Sequence, residues 1–258
     1  EEDLTKFIKK IRSGSKRYLA RAITLVESSL RSDQKFSQEL LQKFKIKNNT
    51  IRVGITGVPG VGKSTFIENF GMKLINLGYK VAVLAVDPSS KMSGGSILGD
   101  KTRMEKLSVN PNAFIRPSPS GGHLGGVAMK SYESLMCLEE AGYNFIFVET
   151  MGVGQAETAV HDMVDIFLVL LLPSGGDELQ GIKKGIIEMA DLIAINKADG
   201  ELKKSAEITQ REYKNATFFN TKPRSGDNLE VFTCSSFTEE GFEKILDSDW
   251  SLNQNSTF

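Results

Sequence analysis

Apolar residues recur at helical spacing through the first 48 positions: Leu19, Ile23 and Leu30, then Phe36, Leu40, Leu41 and Phe44, with Lys, Arg, Ser and Gln between them. A stripe of that period predicts amphipathic helix, read as an extension packed on a main domain, with a partner-binding arm as the alternative. Asn48-Asn49 ends this region, and the pattern then changes to short, nearly continuous apolar runs. Ile51 to Thr56, Val81 to Val86, Phe145 to Val148, Ile166 to Leu172, Leu192 to Ile195 and Val231 to Thr233 read as buried strands. Helical stretches at Lys130 to Ala141, Gly181 to Met189 and Leu202 to Tyr213 separate most of them. Strands without polar alternation, interleaved with helices, predict an α/β fold with a mostly parallel sheet covered on both faces. Pro111 to Gly126 reads as a Pro/Gly/Ser-rich loop. Met129, Met136, Met163 and Met189 read as core filler. His161, in the helical stretch Glu157 to Val164, reads as structural, and His123 has no assigned role.

Composition narrows the classes. The chain has 258 residues, 40% hydrophobic and 25% charged, with 32 basic against 32 acidic residues. That balance argues for a globular protein and gives no global charge to steer it onto nucleic acid. Cys137 and Cys234 are too far apart for a CxxC site, so buried free thiols in a reducing, cytoplasmic compartment are expected. The longest apolar run, Ile166 to Pro173, is too short to span a bilayer, so no membrane partner is expected. The chain begins at Glu1 rather than Met, which is compatible with a removed leader.

The chemistry is concentrated where strands end. Gly57-Val58-Pro59-Gly60-Val61-Gly62-Lys63-Ser64-Thr65 follows the first strand and precedes a helical pattern that runs to about Asn76. Its glycines allow backbone N–H groups to turn inward on phosphate oxygens, assisted by the positive end of the following helix. Lys63 would reach the terminal phosphates, and Ser64 would offer its hydroxyl to Mg²⁺. Asn196-Lys197-Ala198-Asp199 closes another strand, which places it on the same carboxyl edge. A carboxylate there can accept from N1–H and the 2-amino group of guanine. Adenine has neither donor, so Asp199 selects GTP and GDP. NKxD is a weak pattern alone and gains its meaning from the phosphate loop upstream. Ser235, in Thr233-Cys234-Ser235 after the last strand, would help hold the base. Asp87, Asp100 and Glu149 lie at or near strand ends and suit a hydrated Mg²⁺ bridging nucleotide oxygens.

Together these segments closely resemble the methylmalonyl-CoA mutase-associated GTPases of the MeaB/ArgK type, once labelled transport-system kinases. The resemblance is carried by Ala20-Arg21-Ala22-Ile23-Thr24, GVPGVGKST at 57–65, VDPSSKMSGGSILGDKTRM at 86–104, IRPSPSGGHLGGVA at 115–128, VETMGVGQAE at 148–157 and PSGGDELQGIKKGI at 173–186, leading into NKAD. It spans roughly residues 15 to 245. It implies a P-loop G domain at 49–247, a helical extension at 1–48 and a polar tail at 248–258, where relatives usually continue into a dimerising helical arm. It further implies a homodimer and a GTP-dependent chaperone for an adenosylcobalamin-dependent acyl-CoA mutase. By the same resemblance, Lys63, Ser64 and Thr65 contact phosphate and Mg²⁺, Asp87, Asp100 and Glu149 serve the metal shell and switches, and Asn196, Lys197 and Asp199 hold the base. Ser174 to Lys184 corresponds to a mobile family segment, in which Asp177 and Lys183 are candidate switch and charge-offsetting residues. Val153 follows Gly152 where Ras-type GTPases place a water-orienting Gln, and Gln155 comes two positions later, so slow intrinsic hydrolysis is expected. Two alternatives differ in class. A protein kinase of a transport system needs an acceptor-docking site and a base that are not legible, and a nucleotide-gated metallochaperone needs a Cys/His cluster that the sequence does not offer.

Overall fold

The computed structural model describes residues 3–45, 49–87, 104–119, 124–150, 156–173, 184–217 and 229–247. Three helices come first: α1 (Leu4–Arg12), α2 (Lys16–Glu27) and α3 (Arg31–Gln42). The Asp3 carboxylate caps α1, accepting from the Thr5 N–H at 2.9 Å, which satisfies a donor that the helix itself leaves free. The expected single apolar period is reset between α2 and α3. Leu30 falls at the N-cap of α3 and is exposed, contrary to its reading as part of the stripe.

Then follow β1 (Ile51–Thr56), α4 (Lys63–Asn76), β2 (Val81–Asp87), α5 (Glu105–Val109), β3 (Ala113–Pro119), α6 (Leu124–Glu140), β4 (Phe145–Thr150), α7 (Ala156–His161) and β5 (Ile166–Leu171). The chain continues through α8 (Lys184–Glu188), β6 (Leu192–Ile195), a 3₁₀ turn (Gly200–Leu202), α9 (Lys203–Thr217), β7 (Glu230–Thr233) and α10 (Phe242–Asp247). Among the described residues, seven strands form one sheet in the order β3-β2-β4-β1-β5-β6-β7. Every neighbouring pair is parallel. The six expected strands are all present.

The seventh corrects the reading of 111–126 as a loop. Ala113–Pro119 pairs with β2 and Leu124 opens α6. Two prolines in Arg116-Pro117-Ser118-Pro119 hid the strand, yet β3 is an edge strand, where a residue without an N–H is tolerated. α5 was also not anticipated. Met129 is exposed, against its reading as core filler, whereas Met163 is buried and Met189 packs partly buried on the core.

Alternation along the strands divides the core in two. Val53, Ile55, Phe145, Phe147, Leu168 and Leu170 point to one face, with Phe66, Phe70 and Leu74 of α4 and Phe242 and Ile245 of α10. Ile146, Val148, Phe167 and Val169 point to the other, with Leu135 and Leu138 of α6, Val160 of α7 and Ala206 of α9. Phe7, Ile11, Leu19, Ile23 and Leu40 of the N-terminal helices join this second core directly. Two buried-facing ion pairs tie them down: Arg12 to the fully buried Glu140 carboxylate, and Arg116 of β3 to Glu27 of α2 at 2.7 Å. His161, at the end of α7, stacks edge-on against Phe167, consistent with a structural role.

Candidate functional site

β1 lies in mid-sheet, with β4, β2 and β3 on one side and β5, β6 and β7 on the other. Its carboxyl end is therefore where the strand order reverses, the position at which open parallel sheets bind ligands. The phosphate-binding motif occupies that end. Gly57 leaves β1 at φ 153°, and a Cβ there would meet the Leu170 carbonyl oxygen at 2.5 Å. Gly62 is the N-cap of α4 in the left-handed region, where a Cβ would meet Asn196 Nδ2 at 2.8 Å. At Gly57 the obstacle is a backbone carbonyl, and at Gly62 it is the Asn196 side chain together with a left-handed φ of 96°, so both glycines are a steric requirement of this loop.

Lys63 opens α4 and is almost completely buried. Its Nζ donates to the Gly57 carbonyl at 2.6 Å and to the Val58 carbonyl at 3.3 Å. The loop thus holds the ammonium by its own carbonyls, and an anion in the loop would compete for it. Ser64 Oγ donates to Glu149 Oε1 at 3.2 Å. Glu149 does not end its strand as expected; β4 runs on to Thr150. Phe145 and Phe147 belong to the α4-side core, so alternation turns Glu149 toward α4. Pro59 and Gly60 of the loop and Thr65 in the first turn of α4 are exposed.

The second half of the site is the Asn196–Asp199 loop. Three bonds extend the ladder past the strand ends and gather the loops after β5, β6 and β7: Asn196 N–H to Leu171 O at 2.8 Å, Cys234 N–H to Ile195 O at 2.8 Å and Ala198 N–H to Cys234 O at 2.9 Å. Buried Asn196 joins both halves. Its Nδ2 donates to the Val61 carbonyl of the phosphate loop at 2.8 Å. Its Oδ1 accepts from Ser236 N–H at 2.9 Å and Ser236 Oγ at 2.8 Å. Lys197 is exposed and held at φ 59°, an uncommon conformation for a side-chain-bearing residue. Asp199 accepts from Ser235 Oγ at 2.6 Å. Ser235 in turn takes the Phe237 and Thr238 N–H groups at 3.2 and 3.1 Å, which fixes the loop around it. Below this loop, burial pushes the Cys234 thiol up to about 12, so it is a packing group rather than a nucleophile.

The sequence reading did not single out Ser236 or Asn69. Asn69, on the phosphate-loop helix, donates from Nδ2 to the Ser236 carbonyl at 2.6 Å. The only signal for it is its position three residues after buried Phe66, on the same side of α4. Of the expected metal-shell residues, Ser64 and Glu149 are brought together, and Asp87 ends β2 at the same sheet edge. Asp100, Gln155, Asp177 and Lys183 lie outside the described residues. Oxygen donors at the ends of β2, β4 and the start of α4 fit a hard divalent cation such as Mg²⁺.

Known proteins agree with this architecture. The chain is 49% identical to the GTPase ArgK of Escherichia coli K12 over 246 residues, covering 95% of this chain and 74% of that protein. It is 49% identical over 246 residues to the mitochondrial methylmalonic aciduria type A homolog of Mus musculus, covering 91% and 59%. A crystal structure described as LAO/AO transport system kinase superposes with a TM-score of 0.80 at 39% identity, covering 96% of this chain and 74% of that one. The profile of the methylmalonyl Co-A mutase-associated GTPase MeaB matches residues 19–254. A phosphate loop, a guanine-type NKAD loop and the Asn196 bridge between them, on a parallel P-loop sheet, are thus carried by a chain that belongs to the MeaB family of methylmalonyl-CoA mutase-associated GTPases.

Proposed function

We propose that the protein is a GTP-hydrolysing chaperone that assists the assembly, protection and reactivation of an adenosylcobalamin-dependent mutase of the methylmalonyl-CoA type. The observation that carries the nucleotide half is the direct link through Asn196 between the phosphate loop and the Asp199–Ser235 pair. It makes the triphosphate site and the base site one rigid unit, so that guanine identity and phosphate state are read together. The mutase half rests on membership of a family described by that association.

In this reading GTP lies along the carboxyl edge, with its base against Asp199, Lys197 and Ser235. The Lys63 ammonium leaves the Gly57 and Val58 carbonyls for the phosphates. Ser64, Asp87, Asp100 and Glu149 would hold Mg²⁺, which offsets phosphate charge when bound. Gln155 orients water only after the switch segments close, and Lys183 and Asp177 complete that closure when the mutase docks. Hydrolysis by the isolated protein is then slow, below about 1 s⁻¹, as for sites that lack a placed catalytic group. The working form is a homodimer in the cytoplasm, a setting supported by two buried free thiols.

The test is single-turnover GTP hydrolysis with and without an adenosylcobalamin mutase, together with labelled-phosphate tracing. Release of phosphate to water, accelerated by the mutase, is the expected result. Fast release from the isolated protein would show a site already complete, and label transferred to protein would favour the kinase reading.

A further inference from the structure

The sheet face opposite α4 carries a group of polar atoms that the nucleotide site does not use. Glu157 is 2% exposed, and among the described residues neither carboxylate oxygen has a hydrogen-bond partner. Thr56 Oγ1 and Thr150 Oγ1 are likewise buried and unpartnered. Charged groups are almost never left this way, because burial of an unpaired carboxylate is among the most costly events in folding.

Three separate observations bring these atoms to one place. Gly54 of β1 faces α7 and the turn after it, since a Cβ on it would meet Val160 Cγ1 of the helix at 3.0 Å and Val164 Cγ2 of the turn at 3.0 Å. Thr56, two residues further along β1, points to the same face. On α7, Glu157 precedes Val160 by three residues and so shares its inward side. The helix links two parallel strands and must run back against them. Glu157 therefore lies nearer the carboxyl edge than Val160, by about 4.5 Å of helix rise against about 6.6 Å between Gly54 and Thr56. That sets Glu157 over Thr56. Thr150 completes the group: Ile55 registers with Glu149, which makes Thr150 the neighbour of Thr56, and Ile146 and Val148 mark its face as the α7 side.

We propose that Glu157, Thr56 and Thr150 form a binding site for a monovalent cation of the potassium or sodium class. The donor set is all oxygen, which hard cations prefer. One carboxylate charge with two neutral hydroxyls is balanced by a single positive charge, whereas a divalent ion would leave the buried pocket positive. Water alone would satisfy the hydroxyls but not the charge. The ion would pin the first turn of α7 to the end of β1, one residue before the phosphate loop and at the end of the 148–157 segment that carries Glu149. The site is separate from the nucleotide site, so the proposal stands or falls independently of the GTPase reading.

The experiment compares thermal unfolding of the nucleotide-free protein in KCl, NaCl and choline chloride at equal ionic strength, for the parent and Glu157→Gln. In the parent, saturating potassium or sodium should raise the midpoint by about 3 °C over choline, the shift expected when the ion is roughly tenfold above its dissociation constant. Glu157→Gln should abolish that difference. Equal midpoints in all three salts, or an ion response that survives in Glu157→Gln, would overturn the proposal. Stabilisation by acid without any ion dependence would do the same, because it would mean that a proton keeps the carboxyl neutral. Thallium-205 NMR of the parent gives a second measurement that needs no variant. A protein-dependent shift displaced by potassium supports the site, and an unperturbed thallium resonance refutes it.

Discussion

Asn196→Ala tests the claim that the phosphate loop and the base loop act as one unit. The substitution removes one donor, and one acceptor shared by the Ser236 N–H, the Ser236 hydroxyl and the Cys234 thiol, in a single buried place. The Ser236 hydroxyl can rotate to a new partner, but the Val61 carbonyl and the Ser236 N–H are fixed by the backbone. Each unpaired buried group costs about 1–3 kcal/mol, partly relieved if water fills the space left by the amide. A loss of about 2–4 kcal/mol in folding stability follows, or about 6–10 °C in the unfolding midpoint for a chain of this length. Without nucleotide the two loops can separate to relieve the unpaired groups, and binding must bring them back. Roughly 2–3 kcal/mol of that cost then appears in affinity, about 30- to 140-fold weaker GDP binding at 1.4 kcal/mol per tenfold. Calorimetric titration with GDP, beside denaturant unfolding of the same preparation, measures both effects. Asn196→Asp is the control: it keeps both acceptor bonds to Ser236 but sets a carboxylate against the Val61 carbonyl, and it should bind GDP no better than Asn196→Ala. A GDP dissociation constant within about threefold of the parent for Asn196→Ala would show that the bridge does not couple the loops.

Asp199→Asn should exchange guanine for xanthine preference, because the amide donates where the carboxylate accepts; competition among GDP, XDP and ADP measures this, and equal ADP and GDP affinity in the parent would refute guanine selection. Lys183→Ala and Asp177→Ala should leave GDP affinity nearly unchanged and reduce the acceleration of GTP turnover by the mutase; undiminished acceleration in both would return 174–184 to an ordinary connection. Cys137 and Cys234 should resist thiol reagents at pH 8 in the folded protein and react once it unfolds. Burial pushes both thiols above their usual range, and the thiolate is the reactive form. Rapid native labelling would contradict the buried placement.

Much of this protein is determined by local chemistry and is legible along the chain. Apolar runs such as Ile166–Leu171 and Leu192–Ile195 announce buried parallel strands because both of their faces need cover. GVPGVGKST announces its loop because the chain passes the Leu170 carbonyl so closely at Gly57 that a Cβ would stand 2.5 Å from its oxygen, an approach only glycine permits. The strand at Ala113–Pro119 was hidden because proline is judged by its missing N–H, and only a place at the sheet edge makes that harmless. Leu30 departs from the stripe because periodicity does not register a chain turn that resets it. Contacts between distant segments were decided by the tertiary structure alone. Asn196 meets Val61 across 135 residues, Asn69 meets the Ser236 carbonyl across 167, and glycine is required at 241 because a Cβ there would stand 2.3 Å from the Thr233 carbonyl oxygen. The Glu157 carboxylate, buried and without a hydrogen-bond partner among the described residues, belongs to the same class. In sequence it is one more acidic residue after a glycine-rich stretch, and its burial follows only from helix α7 packing against β1, since sequence spacing carries local periodicity but not the desolvation that packing imposes.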